Sequence, residues 1–141
     1  MTLNIRSRER LKGVHPDLVG VIEHAAGMAP GTFIVTEGLR TPDRQYQLYV
    51  SGASKTLNSR HLTGHAVDIA ALVDGKVRWD WPLYHKLAEL VREASIAKGI
   101  PVRWGGTWKL LTETPGTITP AQLSRSFPDG PHYELDRSIY P

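Results

Sequence analysis

Cysteine is absent from this chain of 141 residues. Disulfides therefore contribute nothing to its stability, thiolate chemistry is excluded, and any metal site has to be assembled from His, Asp and Glu. No apolar run approaches the ~20 residues that cross a bilayer. The N-terminal MTLNIRSRERLKGV has no apolar segment of the secretory kind. These two absences lead to the expectation of a chain that does not insert into membranes and stays in the cytoplasm where it is made until something releases it. Internal repeats and low-complexity tracts are also missing.

What is present is ordinary for a globular domain, with 40% hydrophobic and 22% charged residues. The length suits one domain spanning 1–141. A net charge of +3 and a pI near 9.3 would suit an anionic partner. However, the only dense basic stretch, Arg6, Arg8, Arg10 and Lys12, reads as a solvated N-terminal segment. With no basic helix and no nucleic-acid motif, nucleic acid is not an expected partner.

Helix signals recur along the chain. Pro16 opens a first helix with Leu18, Val19, Ile22 and Ala25 on one face and a stop near Gly27. Thr41 followed by Pro42 opens a second helix that ends at Gly52. Asp80 and Pro82 open a third, carrying Leu83, Leu87, Leu90, Val91 and Ala94 and ending before Gly99. Strands are expected over 32–36, 66–73, 76–79, 102–104 and 132–135, with Asp74-Gly75 as a hairpin turn between the second and third. Residues 105–130 read as a long loop with one helical turn near 120–123. Helices and hairpin-linked strands in mixed order predict an α+β domain, a small antiparallel sheet flanked by about three helices.

Chemistry concentrates in two segments. In Ser59-Arg60-His61-Leu62-Thr63-Gly64-His65-Ala66-Val67-Asp68, seven extended steps would place His61 roughly 23 Å from Asp68, whereas two ligands each about 2 Å from one ion lie close together. The chain must fold back between them, and Thr63-Gly64 is suited to the turn. On the strand that follows, Ala66, Asp68 and Ala70 share a face, so the single carboxylate has small neighbours and room beside it for a cation. Left buried without a partner it would be costly. In the second segment, Asp129-Gly130-Pro131-His132-Tyr133-Glu134, the chain enters a strand from a turn, with His132 and Glu134 on one side. His132 would be a third ligand in a set that leaves one position open, and Asp129 a candidate general base. His65 and Glu134 are candidates to orient ligands, with surface or packing roles as the plainer alternative.

The pattern Ser59-x-His61-x-x-Gly64-x-Ala66-x-Asp68 with Asp129-x-x-His132 resembles the zinc D-Ala-D-Ala carboxypeptidase and dipeptidase superfamily. Within it, the chain is most similar to the L-alanyl-D-glutamate peptidases that serve as bacteriophage endolysins. The likeness includes Glu37-Gly38-Leu39-Arg40-Thr41, Gln47-Leu48-Tyr49, Trp104-Gly105-Gly106-x-Trp108 and Pro131-His132-Tyr133-Glu134-Leu135. It implies the zinc D-Ala-D-Ala peptidase (hedgehog-like) fold, zinc held by His61, Asp68 and His132, and Asp129 as catalytic acid/base. It further implies that Arg40 stabilises the substrate carbonyl or its oxyanion and that Ser59 lies in the substrate cleft. As large apolar groups, Trp104 and Trp108 suit either a wall of the cleft or the core. The implied substrate is peptidoglycan, cut at L-Ala-D-Glu by a monomer that acts in the periplasm or cell wall after release. The stretch between Trp108 and Asp129 is longer than the endolysin pattern, which bears on the rim of the cleft. A D-Ala-D-Ala carboxypeptidase or dipeptidase shares the metal motif. A non-catalytic zinc or wall-binding module would not need Asp129.

Overall fold

A computed structural model describes residues 3–141. Among the described residues, four α-helices, α1 (Ile5–Arg10), α2 (Pro16–Met28), α3 (Pro42–Val50) and α4 (Trp81–Lys98), accompany six strands. These are β1 (Phe33–Glu37), β2 (Ala66–Val73), β3 (Lys76–Arg78), β4 (Val102–Trp104), β5 (Lys109–Leu110) and β6 (His132–Leu135). All pairings are antiparallel, in the order β1-β2-β6-β4-β5 with β3 also on β2. The architecture is therefore α+β, as expected, with one helix more than the sequence indicates.

That extra helix lies in the basic N-terminal stretch, whose Arg6, Arg8, Arg10 and Lys12 are exposed as expected but which also carries structure the sequence did not indicate. Asn4 caps α1 by accepting a hydrogen bond from Ser7 N at 2.8 Å. Ser7 is buried, and its Oγ accepts from Val35 N at 2.9 Å while Arg10 Nη1 donates to Val35 O at 3.0 Å. β1 is an edge strand, and these two side chains satisfy both backbone groups of Val35 on its outer edge, which would otherwise be open to pairing with another chain. Sequence periodicity carries no trace of this because the stabilising contacts are polar and made to a strand some 28 residues away.

The remaining helices begin close to where the sequence places them, although Asp80, at the N-cap position of α4, makes no capping bond because its carboxylate accepts from Arg78 instead. Pro16 is the first residue of α2, and Thr41 Oγ1 accepts from Arg44 N to start α3. Asp74 and Gly75 both have positive φ, 52° and 76°, as the expected two-residue hairpin turn requires. α4 ends on Gly99 in the left-handed region. Strand positions are those read from the sequence to within one residue at each end, except that residues 105–130 contain the short strand β5 and two 3-10 turns, Leu111–Glu113 and Pro120–Gln122. β5 is only two residues long, too short to show an alternating pattern.

Alternation in β2 and β6 separates core from chemistry. Val67, Ile69 and Ala71 in β2, with Tyr133 and Leu135 in β6, join the core that α2 and α4 cover with Leu18, Val21, Ile22, Ala88 and Val91. Asp68, His132 and Glu134 alternate with these residues and so lie on the opposite face. Register then fixes the site, because Asp68 pairs with His132 across β2–β6 and with Glu37 across β1–β2.

His61 reaches the same place from the 3-10 turn Arg60–Thr63, which ends on Gly64 at φ +77°. A Cβ on Gly64 would run into the carbonyl oxygen of Gly13. Gly64→Ala is therefore expected to add a clash to the usual left-handed strain of about 1–3 kcal/mol. Gly52, at φ +84° with nothing near its missing Cβ, has the strain alone. Thermal denaturation should show a larger loss for Gly64→Ala than for Gly52→Ala; equal losses would remove the close approach as the cause.

Candidate metal centre

His61, Asp68 and His132 each offer one ligand atom, and these atoms lie within 4.8 Å of one another. His61 Nε2 is 3.1 Å and His132 Nδ1 3.2 Å from the same oxygen, Asp68 Oδ1. The second nitrogen of each ring is already engaged. His61 Nδ1 lies 2.8 Å from Gly38 O, a carbonyl that can only accept, so this nitrogen carries the proton. His132 Nε2 lies 2.8 Å from Glu134 Oε1, which likewise draws the proton to that nitrogen. In the neutral tautomers so selected, two imine lone pairs and a carboxylate oxygen converge with no hydrogen between them. Such a set calls for a cation, and this group could hold a metal ion.

Without an ion, protons take that role. Burial pushes the Asp68 carboxyl up, but hydrogen bonds from His132 and His61 more than offset it and hold Asp68 well below the usual carboxylate range. Burial pushes the His132 imidazole down, yet hydrogen bonds to Asp68 and Glu134 raise it to about 10. Glu134 is held below its ordinary value by His132 despite its own burial. A bound cation therefore competes with a proton, and its affinity falls as pH falls.

Asp129 lines the same cleft, a cavity of about 360 Å³. Burial, then the neighbouring Asp68 charge, raises its pKa, with His132, His61 and Arg40 opposing. Its position is set by Gly105, whose carbonyl accepts from Asp129 N at 2.9 Å and whose N–H donates to His132 O at 2.8 Å. A side chain there would meet the Cβ atoms of His132 and Asp129 at 3.0 and 3.1 Å, so only glycine permits this approach.

Arg40 is no surface residue. Only 9% exposed, it donates from Nη2 to Glu37 Oε1 at 2.5 Å and from Nη1 to Gln45 Oε1 at 2.7 Å, and it sits 3.6 Å from Asp68 Oδ2. Its Nε has no partner among the described residues. Ser59 lines the cleft and also caps the turn that carries His61, accepting from His61 N at 3.2 Å. Trp104 requires a correction. It is fully buried and donates from Nε1 to Gly130 O at 2.7 Å, so it supports the floor of the site and cannot touch a substrate. Trp108, the other candidate for that wall, does line the cleft, with its ring 5.3 Å from that of His132.

Of the two candidates to orient ligands, for which a surface or packing role was the plainer alternative, Glu134 does so, through His132. His65 does not; its Nδ1 meets Thr63 Oγ1 and its ring stacks on His15. Sequence reasoning missed Glu37, Gln45 and the Gly38 carbonyl, although Glu37 and Gly38 lie in the block that also contains Arg40. Replacing Glu134 by Gln keeps the shape but weakens the hold on the His132 proton. Losses of this kind typically cost 10- to 100-fold in metal affinity. Competition with a chelator at fixed pH would measure it, and an unchanged affinity would deny Glu134 that role.

Residues 1–136 match the phage L-alanyl-D-glutamate peptidase family. The L-alanyl-D-glutamate peptidase of Escherichia phage T5 is 29% identical over 133 residues, covering 92% of this chain and 93% of that one. The peptidoglycan L-alanyl-D-glutamate endopeptidase CwlK of Bacillus subtilis (strain 168) is 30% identical over 95 residues, 58% of this chain and 57% of that one. Among solved structures, the crystal structure of the Serratia marcescens L-Ala D-Glu endopeptidase ChiX is similar with a TM-score of 0.81 and 43% identity. The match covers all of this chain and 92% of that one.

Proposed function

This chain belongs to the phage L-alanyl-D-glutamate peptidase family, and on that footing we propose that it is a zinc-dependent endopeptidase cutting peptidoglycan stem peptides between L-Ala and D-Glu. The observation that carries the reading is the convergence of His61, Asp68 and His132 beside a half-buried carboxylate, Asp129, of raised pKa in one cleft. Two imidazoles and one carboxylate without thiolate are the donor set of a catalytic zinc with three protein ligands. When bound there, zinc supplies Lewis-acid polarisation of the scissile carbonyl and a lowered pKa for water.

The residues supply the rest. Asp129 accepts a proton from the attacking water and returns it to the departing D-Glu amine. One water is consumed: its oxygen bonds to the L-Ala carbonyl carbon, the C–N bond breaks, and the products are an L-Ala carboxylate and a free D-Glu amine. Arg40, clamped by Glu37 and Gln45, is a fixed positive charge beside Asp68 and offsets charge developing on the carbonyl oxygen. Ser59, on the cleft wall, and Trp108 contact the peptide.

We assign residues 1–141 to a single catalytic domain with the zinc D-Ala-D-Ala peptidase (hedgehog-like) fold, acting as a monomer. The chain is made in the host bacterial cytoplasm and reaches the wall after release. Mass spectrometry of purified muropeptides after digestion tests the bond. L-Ala C-termini on the glycan side and new D-Glu N-termini on the released peptide are expected. Free D-Ala with intact L-Ala-D-Glu bonds would overturn the endopeptidase reading in favour of a carboxypeptidase.

A further inference from the structure

Asp129 faces two hollows. Besides the cleft that holds the ligand cluster, it borders a groove of about 180 Å³ lined by Trp79, Trp81, Tyr84, Pro128 and Pro131. Trp79 is 61% and Trp81 39% exposed, so two large aromatic rings stand in solvent beside the reacting end of the molecule. Exposed apolar rings clustered beside a site offer a ligand a surface to pack on. The rings are also held in place. Trp79 stacks parallel to Tyr84, with centroids 6.0 Å apart and planes within 1°. Tyr84 is in turn fixed, its hydroxyl donating to Arg78 O and accepting from Ala71 N. Trp81 lies over Gly130, where a Cβ would come within 3.0 Å of the ring.

The two hollows differ in charge. The cleft is lined by charges of both signs, Lys55, Arg60 and Arg137 standing beside the Glu37, Asp68, Asp129 and Glu134 carboxylates, whereas among the described residues Asp129 is the only charged one lining the groove. On the proposed function, the groove has an occupant of known chemistry. In peptidoglycan the L-Ala nitrogen is acylated by the lactyl group of an N-acetylated amino sugar, so only L-Ala and that lactyl unit separate the scissile carbonyl from the sugar ring. Two units of extended chain span roughly 7 Å, so a sugar must lie close to the catalytic carboxylate. An uncharged ring with axial C–H groups stacks well on an indole face.

We propose that Trp79 and Trp81 form a subsite for the glycan strand, binding an amino-sugar ring of the substrate on the L-Ala side of the scissile bond. The proposal rests on the L-Ala-D-Glu reading, and two measurements separate them. The first compares kcat/KM for a disaccharide-linked stem peptide and for the same peptide N-acetylated without sugar. Wild-type protein is expected to favour the former by about 3- to 10-fold, chiefly through KM. Trp79→Ala and Trp81→Ala should bring that ratio towards one, and Trp79→Tyr should restore most of it. A ratio of one in the wild type, or one preserved in both alanine variants, overturns the subsite while leaving the endopeptidase intact. The second measurement titrates the tryptophan fluorescence of the protein with a tetramer of N-acetylglucosamine, which requires no turnover. A saturable change lost in Trp79→Ala supports the subsite even if neither peptide is cut, the result that would sink the parent reading. No saturable change overturns it, as does a concentration-dependent dimer, abolished by Trp79→Ala, that shows the face to be covered by a second copy.

Discussion

Asp129→Asn is expected to fold, to retain its metal and to lose about 10²- to 10⁴-fold in kcat, the usual contribution of a positioned general base. An amide is nearly the size of the carboxylate but cannot take a proton from water, so the position is kept and the chemistry is lost. Both Asp129 and His132 are hydrogen-bonded to Gly105 through backbone atoms, which the substitution leaves alone. The variant should also separate activity from stability. A carboxyl whose pKa is raised by folding favours the native state only while protonated, so its penalty appears as pH rises from about 3.9, the ordinary Asp value, through the raised one. In metal-free protein, Asn in place of Asp129 removes that penalty. The variant should melt higher than wild type at pH 7, and the difference should vanish below about pH 3. Calorimetry at the two pH values and kinetics on a muropeptide would check both halves. Near wild-type turnover would move the base to another carboxylate, with Glu134 next in reach of the ligands.

The sequence already contained much of this site, for a physical reason. Strand alternation around Asp68 and around His132 is a period-two signal that survives in the residue string, and Gly64 marks the fold-back that local sterics demand. Those features locate the ligands and the α+β class. What was not legible depends on contacts distant in sequence. α1 is held by Ser7 and Arg10 against Val35, and Arg40 is buried because Glu37 and Gln45 clamp it. No periodicity encodes such contacts. Trp104 is ambiguous in the sequence because an aromatic residue next to glycines suits a cleft wall as well as a core. Burial against Gly130 and His85 decided the matter. The exposure of Trp79 and Trp81 is illegible in the string for the complementary reason, since exposure belongs to the folded chain alone.

Asp68→Asn is expected to lower metal affinity by more than the hundredfold that loss of an outer partner can cost, and with it to remove measurable hydrolysis. The argument begins with charge. Two neutral imidazoles and a carboxylate leave a divalent ion with one compensating negative charge, and the amide supplies none. It also turns one corner of the triangle into a possible donor, directed at lone pairs that need a cation. His61 and His132 would remain where Gly38 and Glu134 hold them, so the geometry should survive while the affinity does not. Stability of the metal-free protein gives a second, independent readout. Asp68 is depressed by folding, so its contribution is present above about pH 3.9 and is lost as pH falls through the lower native value. His132 is raised to about 10. Its contribution is therefore complete below about pH 6.5 and is lost as pH rises through the raised value. Wild type should thus exceed Asp68→Asn most clearly between about pH 4 and 6.5, by on the order of 3 kcal/mol for a largely buried pair broken on one side, with the gap closing towards pH 10. Denaturant titrations of both proteins in chelator across that range would measure it. A gap that widened with alkalinity would mean that Asp68 and His132 share no proton, and the reading of the triangle as three converging acceptors would have to be abandoned.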